Sequence, residues 1–265
     1  MKLQQPGGSI AHKLVTFFRC AGTFAGPLNV LKYVYLKVCP MAFPKQIRIK
    51  IKALDRPLVC RPKTSDIGVL LDTFKGGHHR LPSGMQLPAN AVIFDLGANV
   101  GFTVLDYASR YPGARIIAVE MDHENFKVAI ENTRHLGPRC TLLHAAVWTD
   151  DGEISYEGAA TSAFHICDQT KTNMNVVRSR SLMSIIKEFD VDTIDYLKMD
   201  IEGAEREVLQ ASMDWAARVK VMQIEAHSPD IMRVVSERLS AAGFRYEPVT
   251  SHPSALLAVR DGIPG

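Results

Sequence analysis

Cysteine, acidic residues near the front and long uncharged runs are what this sequence has least of. Its five cysteines (Cys20, Cys39, Cys60, Cys140 and Cys167) are odd in number and far apart. No C-x-x-C pair occurs, which argues against a structural metal and a disulfide framework and favours a reducing, cytoplasmic setting. Residues 1–63 hold twelve lysines and arginines but a single acid, Asp55, while the remaining chain carries 19 bases and 27 acids. Such asymmetry suggests an anionic partner for residues 1–63, such as a membrane surface, an acidic glycan or nucleic acid. The segment lacks a basic surface interleaved with aromatics and any recognisable RNA-binding module, which makes nucleic acid the poorer choice. Lys13, Arg19, Lys32 and Lys37 interrupt the apolar residues 10–43, so no run reaches the ~20 residues that a spanning helix needs. A signal-peptide pattern is missing too. What remains is a helix or two packed on the main domain, or a segment lying peripherally on a membrane interface.

What is present is organised in two styles. Residues 1–56 read as a basic extension, helical and then opening a small hairpin from "QIRIKIKA" and "RPLVCRP". Residues 57–265 read as the main domain. "TSDIGVLLDTF" (64–74) is expected to be a helix capped by Thr64, Ser65 or Asp66. From Ala91 onward, apolar runs alternate with amphipathic stretches: "AVIFDL", "RIIAVE", "CTLLHAAVW", "DYLKMD" and "VKVMQIEAH". This alternation predicts an α/β fold, a mostly parallel sheet with helices on both faces. "FRYEPV" and "SALLAVR" add a C-terminal antiparallel hairpin at the sheet edge. Met199 and Met222, inside strand runs, are core.

In an open α/β sheet, ligands bind at the carboxyl ends of strands where the topology reverses. The first such end reads "AVIFDLGANVGFTV". A dinucleotide fingerprint would need glycine at Phe102, and a phosphate-binding P-loop would need a lysine that is missing. The stretch does fit acid-x-Gly-x-x-x-Gly, with Asp95, Gly97 and Gly101, and Asn99 tolerates the positive φ of a tight turn. Glu120 closes the next run, where an acid accepts hydrogen bonds from ribose hydroxyls. Together these predict a nucleoside-type ligand.

The runs "FDLGANVGFTV", "AVEMD", "TLLHAAVW" and above all "DTIDYLKMDIEGAEREVL" closely resemble the FkbM family of S-adenosylmethionine-dependent methyltransferases. "RPKTSDIGVLLDTF" resembles the family's Ser-Asp element, and the likeness covers roughly residues 57–260. The resemblance implies the class I methyltransferase fold, Rossmann-like, with seven strands and a reversed last one. It implies S-adenosyl-L-methionine as cofactor, with contacts from Asp95, Gly97, Asn99, Gly101 and Glu120. His144 and Ala145 would lie by the adenine. It also implies methyl transfer to a hydroxyl of a saccharide, a lipid-linked glycan or a natural product. One departure concerns the substrate side: where the family often has an acid and an aromatic, this loop reads "GGHH".

Methyl transfer from a sulfonium is an in-line displacement, so a base is expected at the carboxyl ends of strands four and five. Asp200 and Glu202 sit at one, Glu225 and His227 at the other. In each pair the period-two spacing puts both side chains on one side if the strand stays extended. Asp200 is the first candidate for a catalytic role, followed by Glu225 and His227, the latter suited to act as a base near neutral pH. Glu202 is otherwise read as a helix cap. Nothing in the spacing demands a metal. His78, His79 and Arg80 lie in a loop able to meet substrate, and Ser162, within "TSAFH" (161–165), in a polar insertion that could form a lid. A cofactor-binding fold without turnover, serving as an interaction module, is the alternative to an enzyme.

Overall fold

In a computed structural model of the protein, residues 20–38, 44–82, 84–157, 165–166 and 175–263 are described. The chain groups into two compact units, residues 1–76 and 77–265.

In the first unit, helix α1 (Pro27–Val38) and an antiparallel hairpin of β1 (Ile47–Ile49) and β2 (Leu58–Cys60) share one apolar interior. The alternation of "IRIKI" places Ile49 and Ile51 inside and Arg48, Lys50 and Lys52 outside. Helix α2 (Asp66–Leu71) starts as expected, and Thr64 Oγ1 accepts the Asp66 amide at 3.2 Å. Ser65 at the N-cap makes no capping bond, and Asp66 is instead fully buried. Its carboxylate takes the Arg61 amide at 2.8 Å and the guanidinium at 2.8 and 3.1 Å. The helix runs on into a π-helical turn, Asp72–Gly76, that turns Thr73 and Phe74 inward.

The second unit is built on a seven-stranded sheet. Its strands are β3 (Val92–Leu96), β4 (Arg115–Glu120), β5 (Cys140–His144), β10 (Ile194–Met199), β11 (Val219–Glu225), β12 (Phe244–Val249) and β13 (His252–Arg260). Their order across the sheet is β12-β13-β11-β10-β3-β4-β5. β3 pairs in parallel with β4 and β10, and only β13 is antiparallel to its neighbours β11 and β12. This is the mostly parallel α/β sheet with a terminal antiparallel hairpin that the alternation of runs predicts. The chain walks outward from β3 to β5 and then returns to β3's other side with β10, so the topology reverses between β3 and β10.

Helices cover both faces because alternate residues of the central strands point opposite ways. Ile93, Ile116, Tyr196 and Val221 pack against Val104, Tyr107 and Ala108 of α3 (Phe102–Arg110). Phe94, Leu96, Ile117 and Leu197 face the other way, against α5 (Leu182–Glu188), α6 (Glu205–Ala211) and α7 (Pro229–Ala241). Local signals set several helix starts. Asp122 accepts the Asn125 amide at the head of α4 (His123–Thr133), and Ser228 followed by Pro229 opens α7.

One expectation needs correction. "CTLLHAAVW" is not one strand. It breaks at Ala145, where the Ala145 amide bonds the Glu120 carbonyl, and β6 (Ala146–Trp148) leaves the main sheet. It joins β7 (Gly152–Glu157), β8 (His165–Ile166) and β9 (Asn175–Ser181) in a second sheet of order β6-β9-β7-β8. The polar insertion thus carries a sheet of its own over the small apolar cluster Ala146, Tyr156 and Val177. Ser162, its proposed lid residue, lies outside the described residues.

The turn after β3 has φ +85° at Gly97 and +50° at Asn99. A β-carbon on Gly97 would run into the carbonyl oxygen of Asp200. Only glycine lets the ends of β3 and β10 approach this closely. Gly97→Ala is expected to destabilise the protein by roughly 2–5 kcal/mol, the sum of a left-handed non-glycine residue and an overpacked contact. Urea unfolding measures it, and a change below about 1 kcal/mol would contradict this reading of the turn.

Candidate active site at the strand ends

Two of the most buried charges of the second unit lie side by side in the sheet. Parallel register puts Lys198 of β10 beside Asp95 of β3. Nζ sits 3.1 Å from the Asp95 carboxylate, with the two side chains 2% and 0% exposed. The same ammonium donates to the Gly97 carbonyl at 2.8 Å and stands 3.5 Å from Asp200. Thr103, on the first turn of α3, donates to Asp95. Burial alone would lower Lys198, but Asp95 and Asp200 together hold it above the usual lysine range. Lys198 is therefore a fixed cation under the turn. The strand reading passed over it, although a lysine inside an apolar strand was a visible signal.

Above this ion pair opens a cavity of about 690 Å³. Gly97, Asn99 and Glu120 line one side, and Asp200, Glu202 and His227 the other. Ala145 and Trp148 also line it, Trp148 coming from the second sheet. Glu120 accepts the Asn99 amide at 2.7 Å and the Asp122 amide at 2.8 Å. Burial pushes its carboxyl up to about 7 against the pull of those two amides. Asn99 Oδ1 is buried without a hydrogen-bond partner. A donor on a ligand would satisfy it.

Three residues that the resemblance placed against a cofactor are not on the cavity wall. Asp95 lies beneath the turn, bound to Lys198 and Thr103. Gly101, at φ +82°, lets α3 approach α4, since a β-carbon there would meet Thr133 at 3.0 Å and Ala129 at 3.3 Å. His144 is exposed, stacks on Phe126 with centroids 4.8 Å apart and contacts the Met121 carbonyl at 3.1 Å. Its neighbour Ala145 lines the cavity in its place.

At the ends of β10 and β11 the backbone does not stay extended. β10 stops at Met199, and the chain turns through Glu202 at φ +56° and Gly203 at +104°. Glu202 does not cap α6. Glu205 does the local work, accepting the Ile201 amide at 2.9 Å. The turn carries Glu202 to His227, so that this ring is surrounded by carboxylates. Its Nε2 lies 3.4 Å from Glu202 and 3.5 Å from Asp200, and its Nδ1 lies 3.3 Å from the buried Glu205. Burial opposes the charge, but Glu205, Asp200 and Glu202 raise His227 to about 9. His227 is therefore a cation at neutral pH, which corrects the expectation that it serves there as a base. Glu202 is pushed up to about 7 by burial and by Asp200.

Glu225 stays near Asp200 but is engaged by His252 of β13 at 2.7 Å. Burial raises it, but the hydrogen bond and charge of His252 hold it below the usual carboxylate range. The "GGHH" loop is tied down on the same side. Gln223 donates to the His78 carbonyl at 2.7 Å, and Tyr107 and Tyr196 donate to the His79 carbonyl at 3.1 and 3.0 Å. His78 stacks on His252, centroids 4.8 Å apart, and burial together with Lys198 pushes His79 down to about 3. The two histidines thus form a wall anchored to Gln223. Arg80 is held by Asp106 at 2.7 and 2.8 Å. Ligand-type atoms of His79, Asp200 and Glu225, and of Asp200, Glu202 and His227, gather within 4.8 Å of one another in two sets. Each set has basic groups of the chain beside it: Lys198 and His227 near Asp200, and the His252 ring on Glu225. Glu205, Gln223 and His252 were not legible as site residues, because only the fold brings them there.

The strand order and the cavity at the β3/β10 switch define a class I methyltransferase fold. The model of the methyltransferase FkbM domain matches residues 95–246, and the chain belongs to that family. A solved methyltransferase FkbM from Methylobacillus flagellatus has the same fold, with a TM-score of 0.51 at 15% identity, covering 94% of this chain and 59% of that one. The chain is 29% identical over 180 residues to the AMB antimetabolite synthetase AmbE of Pseudomonas aeruginosa, covering 53% of this chain and 8% of that protein. It is 22% identical over 150 residues to the hexuronic acid methyltransferase AglP of Haloferax volcanii, covering 55% and 62% respectively. The chain thus spans less than two thirds of each of these relatives.

The charge on His227 can be checked by titration. A folded value raised above the ordinary 6.5 stabilises the protein fully below about pH 6.5, and the contribution is lost as pH rises through about 9. Wild type should exceed His227→Gln in unfolding free energy at pH 6, with the gap closing by pH 9.5, as measured by urea unfolding across that range. A gap independent of pH would refute the assignment.

Proposed function

We propose that the protein is an S-adenosyl-L-methionine-dependent O-methyltransferase acting on a hydroxyl of a saccharide or a glycan-bearing acceptor. The observation that carries this reading is the shared cavity, which places Gly97, Asn99 and Glu120 opposite Asp200 and His227. The residues fit the cofactor. Asn99 Oδ1 is buried and lacks a donor, and Glu120 still has lone pairs for two ribose hydroxyls. When bound, S-adenosyl-L-methionine supplies a methyl group on a positively charged sulfur. Asp200, Glu202 and Glu205 outnumber the cations beside the cavity, which favours a positive ligand.

The chain's own part is to hold an acceptor hydroxyl in line and take its proton. Alignment is the larger contribution, and a positioned base adds roughly 10²–10⁴-fold. Asp200 is the group for this. It lines the cavity beside Glu202, whereas Glu225 is engaged by His252 and His227 already carries its proton. Lys198 and His227 hold the Asp200 carboxylate from two sides. The saccharide class is supported by the hexuronic acid methyltransferase among the relatives.

Two substitutions separate binding from transfer. Glu120→Ala should weaken S-adenosylhomocysteine, measured by calorimetry, about tenfold or more, by removing the partner of two hydroxyls. Asp200→Asn should keep that affinity within a few-fold while slowing transfer of labelled methyl to a glycan pool at least about 100-fold. Transfer unchanged in Asp200→Asn would remove its role. If the wild-type chain bound no adenosyl ligand, the enzyme reading would fall.

A further inference from the structure

We infer that the first unit carries a docking surface for an anionic lipid bilayer, formed by Leu28 and Leu31 of α1 and the outward bases Arg48, Lys50 and Lys52 of β1 and the residues just after it. This inference does not depend on the catalytic reading. Helix α1 buries Tyr33 and Leu36, and Tyr33 stacks on Phe24 with centroids 4.8 Å apart. Its other side exposes Leu28 to 63% and Leu31 to 66%, the two most exposed large apolar side chains among the described residues. They stand three positions apart, so they share one face of the helix.

Their helix neighbours bind the basic strand. Asn29 Oδ1 accepts the Lys50 amide at 2.9 Å, and Lys32 Nζ donates to the Arg48 carbonyl at 2.7 Å. The leucine pair and the exposed row Arg48, Lys50 and Lys52 are thereby held at adjoining edges of one patch, with Lys37 and Lys45 also exposed. Asp55 is the only acid in residues 1–63.

This arrangement matches a lipid surface in both of its parts. Leucines enter the boundary between headgroups and acyl chains, while lysines and arginines reach the phosphates. Nucleic acid would use the bases but gain nothing from two projecting leucines. A second copy of the chain would set like-charged rims against each other. The attachment is peripheral, since no helix among the described residues is long and apolar enough to cross a membrane.

The test is cosedimentation of the full chain with vesicles of phosphatidylcholine alone, and of phosphatidylcholine and phosphatidylglycerol in equal parts. Binding to the anionic vesicles only is expected, falling steeply as salt is added. Leu28→Asp with Leu31→Asp, and separately Lys50→Glu with Lys52→Glu, should each reduce partitioning at least about tenfold. Both pairs are surface changes, and unchanged thermal melting shows that folding is intact. Three results would overturn the inference: no binding to anionic vesicles, binding that survives both double substitutions, or self-association or RNA retention that the leucine pair abolishes while vesicle binding stays.

Discussion

The ion pair of Lys198 and Asp95 is the contact on which the working end of this protein rests. Taking two charges fully out of water is costly, and their attraction compensates only when remaining hydrogen-bonding capacity is satisfied. Here the fold supplies part of that satisfaction, while Asp95 Oδ1 meets the ammonium as an ion pair without a hydrogen bond of its own. Thr103 covers the other side of Asp95, and the Gly97 carbonyl accepts from Lys198. One ammonium thus ties β3, β10 and the turn between β3 and α3 into a unit. Loss of the lysine would leave Asp95 buried and without a counter-charge, the costliest kind of polar defect. The same ammonium reaches Asp200, so the support of the turn and the charge state of the opposite wall are linked through a single side chain.

From there the electrostatics divide the site. On one side, Asn99 and the carboxylate of Glu120 offer acceptors suited to a nucleoside and its amino-acid tail. On the other, a crowd of acids fixes His227 as a cation and leaves Asp200 between two positive groups. Such crowding separates roles among chemically similar residues by environment: burial raises Glu202, the His252 contact lowers Glu225, and His227 keeps its proton. The basic residues gathered in the first unit leave the second free to be net acidic.

Much of the architecture was legible because local pattern and final structure agree. Alternating apolar runs specify parallel strands, "FDLGANVG" specifies a tight turn after β3, and Ser228-Pro229 starts a helix on short-range grounds alone. The failures have physical causes. "CTLLHAAVW" is mostly apolar across two sheets in succession, and periodicity cannot register a change of sheet. Gly101 and Asp95 look like ligand contacts in a motif, but the first answers to helix packing and the second to a lysine on a neighbouring strand.

By itself, the sequence determined the order of strands and helices, the glycine turn, the acid at the end of β4 and the family to which these belong. Each of these depends on residues within one or two elements of each other. The tertiary structure alone decided who meets whom across the sheet: Lys198 with Asp95, Glu205 with His227, His252 with Glu225, Gln223 with the "GGHH" loop. Such pairings depend on inter-strand register and on a left-handed turn at Glu202, both set by packing over the whole core. The protonation state of a side chain follows from those neighbours and from burial, so the chemistry of the site became readable only once the chain had folded.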